Sequence, residues 1–247
     1  MPETAVIPWV IAHRGDHRQA AENSLASFDA AISGGCDMIE TDLRRCRDGI
    51  VAHHDACVGD RPISSMSRRE IRDETGVLPP ALDDVVERCR GYIGLDLELK
   101  EEGLEAEVLA AVTPFFGPSQ FFISSFKAAI LRTVRNLHGA TRTGLLSARG
   151  VAALTPPGAP SPDPRSADDI LAARHACGAD YLIPDALDHE LIAAAADTGT
   201  ALILWNANTD EQINEALGLP VVTGVITDSP HLMRHVSPTR SSRWARR

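Results

Sequence analysis

YIGLDLELKEEGLEAEVLAAVTPFFGPSQFFISS, residues 92–125, holds one complete unit of the fold. Tyr92 to Leu99 reads as a strand, in which Glu98 shares a face with Lys100 while Leu97 points the other way. Leu104 to Phe116 reads as a helix with Leu104, Val108, Ala111, Val112 and Phe115 in register. Phe121 to Ser125 is a second strand. A strand, a helix and a strand in that order imply a parallel pair joined by a crossover.

The same alternation extends in both directions. Upstream lie a strand at Val10-Ile11-Ala12, a helix from Ser24 to Ser33, extended stretches at Met38 to Leu43 and Ile50 to His54, and a helix from Pro80 to Arg90. Arg47-Asp48-Gly49 is a turn between the two extended stretches. Downstream come a helix around Ile130, Leu131, Val134 and Leu137, then strands at Thr141 to Leu146, Asp180 to Ile183, Ala201 to Trp205 and Val221 to Thr227. Helices from Ala167 to Ala176, Leu187 to Ala196, Asp210 to Leu217 and Pro230 onward fill the remaining intervals. About eight strand–helix units predict a closed (β/α)8 TIM barrel in one domain, residues 1–247. An open doubly wound sheet would carry a G-x-G-x-x-G loop after its first strand, and the sequence has none. Residues 155–164 hold five of the 16 prolines and read as a loop, and the tail 237–247 reads as a frayed end.

With 24 Lys+Arg against 34 Asp+Glu, the formal net charge of −10 argues against a nucleic-acid partner. No apolar run reaches the ~18 residues of a membrane span, so stable membrane insertion is not expected. Met1-Pro2-Glu3-Thr4 opens no secretory signal, and five cysteines without a C-x-x-C pair fit reduced thiols. A cytoplasmic protein is therefore expected. Only Lys100 and Lys127 are lysines, so each draws notice in a chain whose usual cation is arginine.

In a barrel the site lies at the C-terminal ends of the strands. Those ends read His13-Arg14-Gly15, Glu40-Thr41-Asp42, His54-Asp55, Asp96-Leu97-Glu98-Leu99-Lys100, Ser124-Ser125 and Trp205-Asn206. Glu40 and Asp42 share a face, as do Glu98 and Lys100. Three carboxylates from adjacent strands form a hard oxygen site suited to Mg²⁺ or Ca²⁺. His13 and His54 offer acid–base chemistry, and Arg14 and Lys100 offer fixed positive charge for an anionic oxygen. Pairing of Glu40 and Asp42 with the neighbouring arginines Arg44 and Arg45, of which Arg44 shares their face, is the competing structural explanation. His17 is expected to be solvated, and His53 to be structural or on the surface. Asp96 is expected to brace Lys100, Glu22 and Asn23 either to cap the first helix or to support the site residues from behind, and Lys127 to sit either at a solvent-facing helix start or beside the substrate.

These residues resemble a known family, the glycerophosphodiester phosphodiesterases. The resemblance runs through H-R-G at 13–15, E-N-S at 22–24, C-D-M-I-E-T-D at 36–42, D-G-I-V-A-H-H-D at 48–55 and L-E-L-K at 97–100. It continues through Ile123 to Phe126, Trp205-Asn206 and Gly224 to Pro230. The family implies a TIM barrel with a short insertion after the second strand, here about 56–78. It implies Glu40, Asp42 and Glu98 as ligands of one divalent cation and His13 and His54 as the acid–base pair. Arg14 and Lys100 would contact phosphate, and Trp205 would line the glycerol pocket. The implied reaction converts a small-molecule glycerophosphodiester to an alcohol and glycerol 3-phosphate, with a cyclic phosphate between. A lysophospholipase D-type activity and a non-catalytic phosphoester-binding barrel are the alternatives. Ala21-Glu22-Asn23-Ser24 and Trp205-Asn206-Ala207-Asn208 depart from the family's usual P-E-N-T and W-T-V-N without changing an implied ligand or acid–base residue.

Overall fold

The computed structural model describes residues 8–149 and 165–236. Eight parallel strands close into a barrel: β1 Trp9–His13, β2 Met38–Cys46, β3 Gly94–Leu99, β4 Phe121–Ser125, β5 Arg142–Ser147, β6 Tyr181–Pro184, β7 Leu202–Leu204 and β8 Val222–Thr227. Each strand pairs with its neighbours in chain order, and β1 closes the ring by pairing with both β2 and β8. The prolines at 155–164, the tail 237–247 and residues 1–4 lie outside the described residues.

The two-residue period of each strand sorts side chains into two cores. Ile11, Met38, Phe122, Tyr181, Ile183, Ile203 and Ile226 fill the barrel interior. Ala12, Ile39, Leu95, Leu97, Ile123, Leu145, Leu182 and Val225 face outward and pack with helix residues such as Phe28, Val85, Val108, Ile130, Ile170, Leu191 and Ile213. The alternation of Leu95, Leu97 and Leu99 with Asp96 and Glu98 therefore directs the carboxylates inward.

Helix ends follow local chemistry. Ser24 caps the helix Leu25–Ser33 by accepting from Ser27 N–H, so Glu22 and Asn23 are released for other bonds. The helix Glu105–Val112 is shorter than its apolar pattern suggests. Pro114 cannot supply the N–H of another turn, and Phe115 lies 49 % exposed with the Arg90 guanidinium over its ring. The last segment, Pro230–Val236, is a 3-10 helix.

Gly49–Ala52 pairs antiparallel with the end of β2, forming the hairpin expected from Asp48-Gly49. The insertion follows: a small hairpin of Cys57–Val58 and Arg61–Pro62, a turn at Ile63–Ser65 and a helix Arg68–Thr75. Ile63, Met66 and Ile71 pack with Cys46 and Val51 as its own small core, which holds the insertion beside the barrel mouth.

Gly15 ties β1 to the first helix. Its φ is +81°, and an added Cβ would meet the Ser27 backbone carbon at 2.8 Å. Gly35 also has positive φ, +75°, but has open space around it. Gly35→Ala is expected to cost about 1 kcal/mol from the left-handed backbone alone. Gly15→Ala adds overlap worth about 1–3 kcal/mol, so its melting temperature should fall further by roughly 2–4 °C per kcal/mol. Thermal unfolding of the two variants measures the difference, and equal losses would refute the close-packing account of Gly15.

Candidate active site

The β2–β3 register builds the centre of the site. Glu40 lies opposite Asp96, and Asp42 lies opposite Glu98. Their relative exposures are 4 %, 0 %, 1 % and 6 %, so four carboxylates are buried together above an apolar barrel interior. One oxygen each of Glu40, Asp42 and Glu98 lies within 4.8 Å of the others. Asp96 is set apart, because its Oδ1 accepts from Ser124 Oγ at 2.5 Å. It does not brace Lys100 as expected.

Lys100 reaches Glu98 Oε2 at 2.6 Å and Asp42 Oδ1 at 2.8 Å. Arg14 Nε lies 3.1 Å from Asp42 Oδ2, and Arg14 Nη1 donates to Glu22 at 2.9 Å. Arg44 instead donates from Nε to the His54 carbonyl at 2.6 Å and approaches Glu101, so it leaves Glu40 and Asp42 to other partners. Two backbone turns make this possible. Arg14 and Asn23 have φ of +53° and +49°, which aims the Arg14 N–H at Glu40 Oε2, 3.0 Å away. Asn23 Nδ2 donates to Asp42 at 2.7 Å, while its Oδ1 accepts from Thr41 Oγ1 and the Asp42 N–H. Asn23 thus locks a carboxylate in place.

Burial and mutual repulsion act differently on the four acids. Burial, then Asp42, Asp96 and Glu98, push Glu40 well above the usual carboxylate range. Burial also raises Asp96, and it raises Glu98 despite Lys100. Asp42 goes the other way: burial opposes its charge, but Lys100 and Arg14 outweigh it and hold the group ionised. Burial likewise disfavours the charge on Lys100, yet Glu98 and Asp42 raise its pKa. Glu40 Oε1 and Glu98 Oε1 are buried and accept no hydrogen bond from any described group. An all-oxygen donor set with such orphaned atoms fits a divalent cation.

The two histidines flank this cluster. His13 Nδ1 lies 2.6 Å from Asp228 Oδ1, which turns Nε2 toward Glu40 Oε2 at 3.8 Å. His54 Nδ1 contacts Asp55 Oδ1 at 2.8 Å, and burial lowers its pKa. The strand containing Ile50 ends at Ala52, so strand alternation no longer separates His53 from His54. Both line a groove of about 140 Å³ together with Glu22, Asn23 and Thr75. His54 also lines a second groove, of about 230 Å³, with Glu98, Lys100, Phe126 and Lys127. Trp205 packs edge-on against Phe126 at 5.7 Å and donates to the Ser147 carbonyl, so it walls the mouth while remaining part-exposed.

His17 corrects an expectation. It reaches the same Asp228 oxygen as His13, at 3.1 Å, and this bond raises its pKa. Asn208 holds Asp228 from the other side, donating to Oδ2 at 2.6 Å and accepting the Asp228 N–H at 2.8 Å. Asp228 carried a sequence signal, because it continues the inward face of Gly224 and Ile226. Asn208 and His17 meet it only through loop geometry, which no strand period reports.

The model of the Glycerophosphoryl diester phosphodiesterase family matches residues 13–232. The glycerophosphodiester phosphodiesterase of Caldanaerobacter subterraneus subsp. tengcongensis is 25 % identical over 247 residues, covering 91 % of this chain and 95 % of the relative. A glycerophosphodiester phosphodiesterase of Bacillus subtilis is 25 % identical over 264 residues, covering 92 % and 85 %. Among solved structures, an Oleispira antarctica phosphodiesterase in complex with the product sn-glycerol-3-phosphate is similar in fold, with a TM-score of 0.72 and 23 % identity over 94 % of this chain and 98 % of that one. The chain belongs to the glycerophosphoryl diester phosphodiesterase family and is a phosphodiester hydrolase.

Proposed function

We propose that this enzyme hydrolyses glycerophosphodiesters to an alcohol and glycerol 3-phosphate. The observation that carries this reading is the buried trio Glu40, Asp42 and Glu98, with two unpartnered oxygens, set beside His13 Nε2 and an open groove. The three carboxylates would hold one divalent cation, Mg²⁺ or Ca²⁺. When bound, it offsets negative charge on the phosphate oxygens as phosphorus becomes five-coordinate.

The chain's own residues supply the rest. Arg14 and Lys100 are held at the carboxylates by ion pairs, where they bind the phosphate and orient it. Trp205 and Phe126 form the wall against which the glycerol rests. One imidazole of the His13–His54 pair takes the proton of the glycerol 2-hydroxyl as that oxygen attacks phosphorus. The other gives a proton to the departing alcohol oxygen. Water then opens the cyclic glycerol phosphate with the proton transfers reversed. Asp228 keeps His13 in one tautomer, and Asp55 does the same for His54.

The charged lining of the larger groove, with Arg44, Asp55, Lys100 and Lys127, favours a water-soluble arm over an acyl chain. Among the described residues no helix is long and apolar enough to cross a membrane. Cys57 is exposed and unpaired, which supports a reducing, cytoplasmic setting.

Glycerol 3-phosphate release from a set of glycerophosphodiesters, with and without chelator, tests the reading directly. Chelation should abolish turnover, and Glu98→Gln should weaken Mg²⁺ or Ca²⁺ binding in calorimetry; turnover indifferent to chelator would remove the metal from the scheme. His13→Ala and His54→Ala should each lower kcat by roughly 10²- to 10⁴-fold with the circular dichroism spectrum unchanged. A full-rate variant would show that its histidine is not in the reaction. A diester that lacks the hydroxyl next to its ester oxygen should be cleaved very slowly. Rapid cleavage of that compound would replace intramolecular attack with direct attack by water.

A further inference from the structure

Resting on the glycerophosphodiester reading above, we infer that the departing alcohol lies in the groove between His54 and Lys127, and that Lys127 selects alcohols bearing a second anionic group. Both lysines of the chain line this one groove, in a protein whose other 22 basic residues are arginine. Lys100 is part-buried at its inner end, clamped between Asp42 and Glu98. Lys127 is exposed at its outer end.

Among the described residues, the charges along the groove are already engaged, with one exception. Glu98 holds Lys100, Asp55 holds His54, and Arg44 is bonded to the His54 carbonyl with Glu101 at 3.8 Å. Lys127 has no carboxylate within 4.0 Å among the described residues. The backbone that carries it is nevertheless anchored. The Lys127 N–H donates to Ser125 Oγ at 3.1 Å, and that hydroxyl donates to the Leu99 carbonyl at 2.8 Å, tying the start of the helix Ala128–Leu137 to β3. No acidic residue stands in the first turn of that helix to neutralise the ammonium.

The smaller groove beside His54, of about 140 Å³, has the opposite character, with Glu22 and Asp55 and no lysine or arginine in its lining. Asn23, bonded to Asp42, and the Arg14–Glu22 pair stand between it and the carboxylate cluster. The Lys127 groove includes Glu98 and Lys100 themselves, so an ester arm leaving the phosphate runs into it without a barrier. With the glycerol on the Trp205 side of Phe126, which packs on Trp205 and also lines the Lys127 groove, the other arm extends toward Lys127. A phosphate or a carboxylate on that alcohol would meet an ammonium that no carboxylate of the described residues holds, whereas a quaternary ammonium would be repelled.

The test is the rate of glycerol 3-phosphate release from three diesters: glycerophosphocholine, glycerophosphoserine and bis(glycerophospho)glycerol. The wild type should favour the two anionic compounds by about fivefold in kcat/KM, the scale of one partly exposed ion pair. A preference confined to one of them identifies carboxylate or phosphate as the preferred group. Lys127→Arg should keep the preference and Lys127→Glu should invert it. Raising ionic strength from about 0.02 M to about 0.5 M should flatten the wild-type preference, because the pair is solvent-screened. A Lys127→Glu enzyme with wild-type ratios, or a wild type that prefers the choline diester, overturns the assignment of Lys127 while leaving the reaction intact. Failure to release glycerol 3-phosphate from any diester overturns the reaction as well.

Discussion

The salt bridge from Lys100 to both Asp42 and Glu98 is the contact on which the site depends. Parallel β2 and β3 run in register, so the inward residues of one strand face those of the other: Glu40 with Asp96 and Asp42 with Glu98. Four carboxylates thereby share a buried space in which, among the described residues, Lys100 and Arg14 are the lysine and arginine that pair with them. Desolvated like charges repel strongly, and an unpaired buried charge is costly. The structure meets that cost unevenly. Asp42 takes both cations and Asn23 and remains ionised, while Glu40 and Glu98 are pushed toward their protonated forms. A cation placed among these carboxylates would relieve their repulsion, whereas the whole-chain charge of −10 describes the chain's overall balance.

The loop after β1 exists to serve the same cluster. Arg14 and Asn23 both adopt left-handed backbone, which L residues seldom do, and each uses that turn to bond a carboxylate. Ser27 secures the loop from the helix side by donating to the Arg14 carbonyl at 2.9 Å. Gly15 must lack a side chain because the helix passes so close. The short sequence from His13 to Ser27 is therefore a single device: Ser27 of the first helix holds Arg14, and Asn23 is held by the Arg14 carbonyl and by Thr41 and Asp42 of β2.

Strand parity made much of this legible. The inward direction of Glu40, Asp42, Glu98 and Lys100 follows from counting by two, and so does the outward direction of Leu97, since neither depends on distant parts of the chain. Parity fails where the strand stops. His53 and His54 both reach a groove because the backbone leaves the strand at Ala52. Loop-to-loop contacts are hidden for a related reason: His17 meets Asp228 through closure of the ring between β8 and β1, and Asn208 meets it across the loops that follow the neighbouring strands β7 and β8. Phe115 shows the opposite error, in which an apolar residue continues a helical pattern after Pro114 has ended the helix.

Closure of the ring also explains why function and stability occupy different heights of one barrel. Below the carboxylates, Ile11, Met38, Phe122, Tyr181, Ile183, Ile203 and Ile226 form an apolar plug that excludes water from the floor of the site. A dry floor lowers the local dielectric, which strengthens the repulsion among Glu40, Asp42, Asp96 and Glu98 and equally strengthens their attraction for a cation or for Arg14 and Lys100. The plug stabilises the fold by burying apolar area and, through the same exclusion of water, sets the electrostatic strength of the mouth above it. Polar substitutions in the plug are therefore expected to weaken the site even where no plug residue touches a ligand. The layers of the barrel are separate in composition but coupled through the dielectric they share.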